Sequence, residues 1–489
     1  MMFNRFFHLA NRGLLAVVLV SLFLACKKEN GKDVQSSQNV ITNQWVIGNM
    51  RDIYYWNTAI PQDRNLDFTL GPEDFFDKIL HPDDRFSWIE LADDLLAGNT
   101  GVSTTVGLGI GLIQLSGSNN VIISVRYALK KSPAELAGIE RGDVITAING
   151  QQLTTGNYQS LLNIYYGKDP FTVQVAHIEG NRIVLDEEVE LIPVQNFQEQ
   201  AIHHSAVITT PSGKKVAYLF YNRFLNTQPN ELLDVFATFK AADVNELVLD
   251  LRYNGGGGIW IAAILAGLIQ ADFKEHEPFI EYKFNSNYTD EKATYYQLFG
   301  GDSEKEDEVA SANQVVNSIK ALNLNLPRVY IIATNYSASA SELLINNLRP
   351  FLSDGNVVHI GGTTVGKNEG SVTIVDKRSP RQIEWGIQPI IVKIANKNGF
   401  GDYPKGLVPQ YQINEWDYLP WAPIGSADDP LLARALVLID PSLQPRASKS
   451  MDAKAQIARS LQAAEVPGFE DELNKPVPID ISKPGQLNR

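Results

Sequence analysis

The sequence predicts a multidomain α+β protein with three folded parts. Residues 43–100 carry aromatic and apolar side chains at helical spacing between turn signals, which indicates a small helical domain. Residues 102–195 change to short β-like runs with one helix near Gln159 to Tyr166, which indicates a compact β-rich module. Over residues 200–440 near-continuous apolar strands alternate with helices, the pattern of an α/β core whose sheet is covered on both faces.

Length and charge narrow the class of protein. The chain has 489 residues, enough for two to four domains. Its 42 Lys and Arg against 56 Asp and Glu give a net charge of −14, and no long basic stretch occurs. This balance predicts no nucleic-acid partner.

The first residues have the pattern of a secretory signal. Arg5 and Arg12 precede a thirteen-residue apolar run, Gly13 to Ala25, which is too short to cross a bilayer about 30 Å thick. We therefore expect residues 1–25 to be a signal peptide. The only cysteine, Cys26, follows directly, so no intrachain disulfide is predicted.

The residues around Cys26 suggest a lipid anchor. LFLAC resembles the lipobox of bacterial lipoproteins, with Phe23 where Leu is usual. The resemblance implies a lipid on Cys26 and a protein anchored in the bacterial cell envelope. We expect the anchor to lie in the outer membrane and the protein to face the periplasm. Residues 26–42 are polar and suit a tether. The alternative is that Cys26 is an inert residue of a discarded signal.

The last part of the chain differs from the core in composition. Residues 441–489 are rich in Pro, Ser and charge, with one helix expected near Met451 to Ala464. We expect this C-terminal tail to be partly disordered, most of all in its last twenty residues.

One serine-rich stretch could carry chemistry. NYSASASELL, residues 335–344, lies between an apolar run and a helix predicted from Ser341 to Leu352. Small residues let a substrate approach the backbone, and a helix N-terminus favours a nucleophile and its oxyanion. The simpler explanation is that a serine only caps the helix.

Three motifs together resemble a known family. SASASE, the later GTTVGK and the earlier LDLRYNGGGG are similar to those of the carboxy-terminal processing peptidases, also called tail-specific proteases. The resemblance implies a serine endopeptidase acting on unstructured or C-terminal segments of envelope proteins. Ser339 would be its nucleophile and Lys367 its general base, with Ser341 left as the helix cap. It implies no metal and no organic cofactor.

The resemblance also implies an oxyanion hole. A backbone N–H of the glycine run, with the N–H of Ala340, would bind the oxyanion; we favour Gly256 and keep Gly257 as the alternative. Only glycine lets backbone donors come this near a substrate carbonyl.

The third catalytic role is left open by the sequence. Many members of the family have a Gln four residues after the lysine, but Ser371 stands there in this chain, or Thr373 if two residues are inserted. Glu342 matches the Glu that follows SASAS in the family.

The β-rich module resembles a PDZ domain of the bacterial protease type. GLGIGLI and SPAELAGIERGDVITAING carry the resemblance. It implies that the N–H groups of Leu108, Gly109 and Ile110 bind the C-terminal carboxylate of a protein or peptide substrate. The alternative is a plain glycine-rich turn.

A second function is consistent with the same motifs. The chain could be a non-catalytic, PDZ-containing binding or scaffolding lipoprotein with a lapsed protease core. Retention of both Ser339 and Lys367 argues against it, because a lapsed site has no reason to keep the pair.

Replacing Cys26 by Ser should leave the protein uncleaved by the lipoprotein pathway and without its lipid. Its membrane partition should change, because each buried acyl CH₂ contributes about 0.8 kcal/mol to anchoring. Incorporation of radiolabelled palmitate and membrane fractionation in a bacterial host measure both effects. Equal labelling of parent and variant would exclude the anchor.

Overall fold

The computed structural model describes residues 31–115, 117–461, 463–466, 469, 471 and 479–481. The predicted signal peptide and Cys26 lie outside the described residues. None of the helices in the described part is both long and apolar enough to cross a bilayer.

The N-terminal domain combines helices with one strand. Its elements are α1 (Gly31–Ile53), α2 (Pro72–Ile79), β1 (Trp88–Leu91) and α3 (Ala92–Asn99). Helix α1 includes residues 31–42, which we expected to belong to the tether. The reason is that polar side chains of this stretch bind other parts of the chain. Asn39 Nδ2 donates to Thr69 O, in the loop before α2, and Gln38 Nε2 donates to Gln382 O.

The β-rich module is an antiparallel sheet with two short helices. Its elements are β2 (Val102–Thr105), β3 (Leu108–Leu115), β4 (Val121–Ala128), α4 (Pro133–Leu136), β5 (Val144–Ile148), β6 (Gln151–Gln152), α5 (Tyr158–Tyr165), β7 (Phe171–Glu179), β8 (Arg182–Leu191) and β9 (Val194–Gln198). Ser132 caps α4 by accepting the N–H of Glu135 at 3.3 Å, and Pro133 starts the helix. Strands β3, β4, β5, β7 and β8 are neighbours in that order.

The α/β core is built on a six-stranded sheet. Its elements are β10 (Ile202–Thr209), β11 (Lys215–Tyr221), α6 (Pro229–Ala241), β12 (Glu246–Asp250), α7 (Ile259–Ile269), β15 (Val329–Ala333), α10 (Ala340–Leu352), β16 (Val357–Gly361), β21 (Tyr411–Gln412) and α11 (Pro430–Ile439). Strands β11, β12, β15, β16 and β21 are parallel neighbours, and β10 is antiparallel at the edge. All eleven residues of α7 are buried, as its uniformly apolar sequence requires.

Two further sheets complete the core. Their elements, with two helices, are β13 (Pro278–Phe284), β14 (Glu291–Thr294), α8 (Tyr295–Leu298), α9 (Glu306–Leu322), β17 (Glu369–Ser371), β18 (Ile374–Val375), β19 (Trp385–Gln388), β20 (Ile390–Asn396) and β23 (Ile479–Asp480). The five-stranded sheet has the order β14-β13-β20-β17-β23, and β19 pairs with both β1 and β18. The predicted multidomain α+β class is confirmed, although the N-terminal domain shares a sheet with the core.

The described part of the C-terminal segment packs against the body of the protein, a contact that the sequence did not predict. Helix α12 (Gln444–Leu461) starts before the predicted Met451, and β22 (Ala463–Glu465) joins β3 of the β-rich module. Ala458 is buried in a cluster that also contains Trp416 and Trp421. Apolar side chains spaced along a polar segment therefore hold it against the body of the protein.

A buried arginine fixes the turn after β12. The Arg252 guanidinium donates to Asp250 at 2.7 Å and to Asp429 at 2.7 and 2.9 Å, and all three side chains are fully buried. Asp429 also caps α11, since its Oδ1 accepts the N–H groups of Leu431 and Leu432. The bidentate pair on Arg252 thus connects the end of a strand to the start of a helix.

Replacing Asp429 by Ala should lower the free energy of unfolding by about 3–5 kcal/mol, because Arg252 would keep a buried charge with one partner removed. Urea denaturation measures the loss. Lys274→Ala removes an exposed ion pair with Asp272 and is the control, expected to unfold like the parent. Equal effects of the two substitutions would contradict a structural role for the buried pair.

Candidate active site

Two loops of the core meet at the carboxyl ends of neighbouring parallel strands. The glycine loop (residues 251–258) follows β12, and the serine loop (residues 334–339) follows β15. Strands β12 and β15 pair directly, with Asp250 opposite Ile332. Ligands of open α/β sheets bind at this edge. The fold therefore brings together two motifs that lie more than eighty residues apart.

The three serines of SASAS have different surroundings. Ser337 Oγ donates to Leu251 O at 2.7 Å, and Ser341 Oγ donates to Asn254 O at 2.9 Å. Both therefore fasten the serine loop and its helix to the glycine loop. The hydroxyl of Ser339 is buried and has no hydrogen-bond partner within the described part of the chain. Only the middle serine is free for chemistry.

Ser339, not Ser341, occupies the N-cap position of α10. The helix begins at Ala340, so Ser341 already lies within its first turn and cannot cap it; the expectation that Ser341 is the cap is wrong. The backbone of Ser339 has φ 59° and ψ −115°, a conformation that a residue with a side chain rarely adopts. Strain of this kind costs about 1–3 kcal/mol and marks functional sites.

Glu342 joins the serine to the lysine. Its carboxylate accepts the N–H groups of Ser339 (2.9 Å), Gly366 (2.7 Å) and Lys367 (2.8 Å), and the hydroxyl of Thr364. Burial raises the pKa of this carboxyl, and the hydrogen bonds oppose the shift. The sequence expectation that Glu342 belongs to the site agrees with this position, but its contacts are to backbone and Thr364, so it acts by positioning.

Lys367 is buried, and no described residue forms an ion pair with it. Its ammonium nitrogen has no hydrogen bond to any described residue and lies 4.3 Å from the ring centroid of Phe86. Burial lowers the pKa of Lys367 to about 7, although nearby carboxylates, chiefly Glu369 and Glu342, act in the opposite direction. A large part of the Lys367 population is therefore neutral near pH 7.

The N-terminal domain covers Lys367. The sequence did not predict this contact. Asp84 Oδ1 accepts the N–H groups of Phe86 and Ser87, which fixes the turn that presents Phe86. Arg85 donates to Gly366 O at 2.6 Å. Nothing in the spacing of these residues indicates a contact with a loop 281 positions later.

The predicted oxyanion donor Gly256 is wrong, because its N–H already has a partner. The N–H of Gly256 donates to Asn254 Oδ1 at 2.9 Å and is not available to a substrate. The N–H of Gly257 makes no hydrogen bond to a described residue, and neither does that of Ala340 at the start of α10. Gly257 has φ 133°, and a Cβ there would come 2.2 Å from Phe224 O. The available pair of donors is therefore Gly257 and Ala340.

Ser371 and Thr373, the candidates for a third catalytic role, both form hydrogen bonds with Gln388. The sequence did not point to this glutamine. Gln388 Nε2 donates to Ser371 Oγ at 2.8 Å, and the hydroxyl of Thr373 donates to Gln388 Oε1 at 2.6 Å. Neither Ser371 nor Thr373 bonds to Lys367. A Gln is thus present beside the strand that follows the lysine, but it comes from β19, seventeen positions after Ser371.

The expected peptide-binding residues lie in the β-rich module. Leu108 and Gly109 begin β3 and pair with Ala128 and Tyr127 of β4, so they are strand and not loop. The N–H of Ile110 donates to a carboxylate, Asp471 Oδ2, at 2.8 Å. The contact was not expected, because Asp471 belongs to the segment predicted to be a tail.

Metal-binding residue types are not clustered near these groups. Within the ranges that the structure describes, no set of three or more His, Cys, Asp or Glu side chains could hold a metal ion.

Family models match three parts of the chain. Residues 42–88 match the peptidase S41 N-terminal domain, residues 215–389 match peptidase family S41, and residues 124–164 match a PDZ domain.

Relatives and a solved structure cover most of the chain. A "Probable CtpA-like serine protease" of Staphylococcus epidermidis is 23% identical over 403 residues, 82% of this chain and 71% of that protein. A protein of the same name from Staphylococcus aureus is 26% identical over 255 residues, 52% of this chain and 43% of that protein. A structure from Bacteroides fragilis NCTC 9343, assigned to the S41 proteases, has a TM-score of 0.67 and 25% identity over 81% of this chain and 97% of that one. These matches show an S41-type serine peptidase that is CtpA-like and carries a PDZ domain.

Proposed function

We propose that the chain is an endopeptidase that works with a Ser–Lys dyad. The hydroxyl oxygen of Ser339 attacks the carbonyl carbon of a peptide bond, and the neutral amine of Lys367 accepts the hydroxyl proton. Lys367 then gives this proton to the leaving amine, and a water molecule hydrolyses the acyl-enzyme in a second round of the same proton transfers.

The oxyanion that forms in each step is stabilised by the N–H groups of Gly257 and Ala340. Both donors are backbone groups on fixed elements, so they cost no reorganisation when the charge develops. The N-terminus of α10 adds positive potential at the same place.

One observation carries the proposal: Lys367 is completely buried, yet its amine has no hydrogen-bond or ion-pair partner in the described chain. A lysine kept for stability would pair its charge, because an unpaired buried ammonium is costly. A lysine that must accept a proton near pH 7 needs this environment. The same argument disfavours a lapsed, non-catalytic core.

The proposal also covers which substrates the protein cleaves and where in the cell it lies. The PDZ-type groove would capture C-terminal tails, and the core would cleave unstructured or C-terminal segments of envelope proteins. Support comes from the PDZ match and from a carboxylate bonded to Ile110 N–H. Anchoring through Cys26 at the periplasmic side of the outer membrane rests on the lipobox-like sequence alone.

Ser339→Ala should abolish cleavage without lowering stability, because the hydroxyl that it removes bonds to no described residue and its backbone is strained. Ser341→Ala should keep activity and lose about 1 kcal/mol of unfolding free energy with its bond to Asn254 O. Cleavage of a fluorescein-labelled unfolded protein and urea denaturation measure the two effects. A phosphonate probe should label the parent but not Ser339→Ala; activity in Ser339→Ala would refute the assignment.

Lys367→Met should be inactive, and the parent's activity should rise with an apparent pKa of about 7 as Lys367 loses its proton. Stability should follow the same group. Below the folded pKa both states bind the proton and the native state carries the full cost of the buried charge, about 5 kcal/mol. Between the folded value and the ordinary value of 10.5 the unfolded chain binds more protons, so the parent gains stability as pH rises.

The Met variant has no such charge. Its melting temperature should therefore exceed that of the parent most clearly near ~pH 6, and the difference should shrink toward ~pH 10. Thermal unfolding across this range is the measurement. A variant that melts below the parent near pH 6, or that still cleaves, would show that Lys367 is a structural cation.

A further inference from the structure

The C-terminal segment occupies the edge of the PDZ sheet. Strand β22 pairs antiparallel with β3, with Ala463 opposite Leu115 and Glu465 opposite Ile113, and Val466 N–H donates to Leu112 O at 3.0 Å. An added edge strand of this kind is how PDZ domains hold peptides.

Apolar side chains of the same segment reach the interior of the module. Val466 and Phe469 are partly buried and pack against its core cluster, which includes Leu108, Leu112 and Leu161. Leu161 belongs to α5 and the other two to β3, so this cluster lines both the strand and the helix. The segment is therefore held by apolar burial as well as by backbone pairing.

The segment brings a carboxylate to the start of β3. Asp471 is 1% exposed and accepts hydrogen bonds from Ile110 N–H at 2.8 Å and Tyr166 OH at 3.1 Å. Ile110 is one of the residues expected to bind the terminal carboxylate of a substrate. A side-chain carboxylate of this chain therefore uses the same donor.

We propose that residues 463–466, together with Phe469 and Asp471, are a resident ligand of the PDZ groove, with the Asp471 carboxylate in the place of a terminal carboxylate. This inference rests on the proposed capture of C-terminal tails. A polypeptide that ends in an apolar residue with a free carboxylate then binds only by displacing this segment. A tethered segment competes at an effective concentration of order mM, so a self-affinity of about 100 µM already weakens binding of a partner about tenfold.

The resident segment also touches the serine loop. Glu465 accepts a hydrogen bond from Tyr336 OH, and Tyr336 lies three residues before Ser339. The guanidinium of Arg126, on β4 of the PDZ module, lies 3.8 Å from the centroid of the Tyr336 ring. Displacing the segment removes a contact of the loop that carries the nucleophile, so binding at the groove is connected to the catalytic core.

The test measures binding and not cleavage, in a Ser339→Ala background. One fluorescent probe is an unstructured peptide that ends in Phe with a free carboxylate, and its amidated form is the control. A second probe is the sequence LQAAEVPGFED of residues 461–471, amidated so that the only carboxylate at its end is the Asp side chain. Variants are Asp471→Asn and, separately, Phe469→Ser. Asp452→Asn, an exposed site on α12, is the matched control.

The free-acid probe should bind Asp471→Asn and Phe469→Ser about tenfold more tightly than it binds the parent or Asp452→Asn. The LQAAEVPGFED probe should bind the two variants in trans and the parent much more weakly. Near-equal melting temperatures of all four proteins exclude misfolding as the cause.

Equal affinity of the free-acid probe for parent and variants would overturn the competition. Failure of the LQAAEVPGFED probe to bind Asp471→Asn and Phe469→Ser would overturn the resident ligand itself. If that probe binds but the free-acid and amidated peptides do not differ, C-terminal capture is refuted and the resident ligand is supported.

Discussion

One buried carboxylate sets the geometry of the candidate active site. Glu342, in the first turn of α10, accepts backbone N–H groups from Ser339 on one side and from Gly366 and Lys367 on the other. These donors and the helix N-terminus offset the cost of burying the carboxylate. Because the Ser339 hydroxyl and the Lys367 amine bond to no described residue, this shared carboxylate fixes the two loops relative to each other, and the reactive groups stay free.

The environment of the lysine depends on several parts of the chain. The strands of the core carry the serine and glycine loops. Arg252, buried at the start of the glycine loop, binds Asp250 at the end of β12 and Asp429 at the N-cap of α11. The N-terminal domain adds Phe86, which covers the amine of Lys367. Burial by both domains lowers the lysine pKa, so the chemistry is a property of their packing and not of the Ser–Lys motif alone.

The sequence predicts the α/β core from its alternation of apolar strands with helices, and it predicts the pair Ser339 and Lys367 through its resemblance to a known peptidase family. It could not choose correctly between Gly256 and Gly257, since the choice depends on one side-chain hydrogen bond two residues away. Nor could the sequence predict that Phe86 contacts the amine of Lys367 or that Asp471 accepts the N–H of Ile110. Asp471 meets its backbone partner 361 positions away, and its local sequence has the composition of a tail. Contacts of this range exist only in the folded chain.

The central claim is that Lys367 is the neutral base of a dyad, and the most direct test is its own titration. The ¹³Cε resonance of Lys367 in lysine-labelled protein can be assigned by its absence in Lys367→Met and followed with pH by NMR. We predict a midpoint of about 7, caused by burial. A midpoint at the ordinary value of 10.5 would contradict the account, because such a lysine would be protonated at neutral pH and could not accept the proton of Ser339.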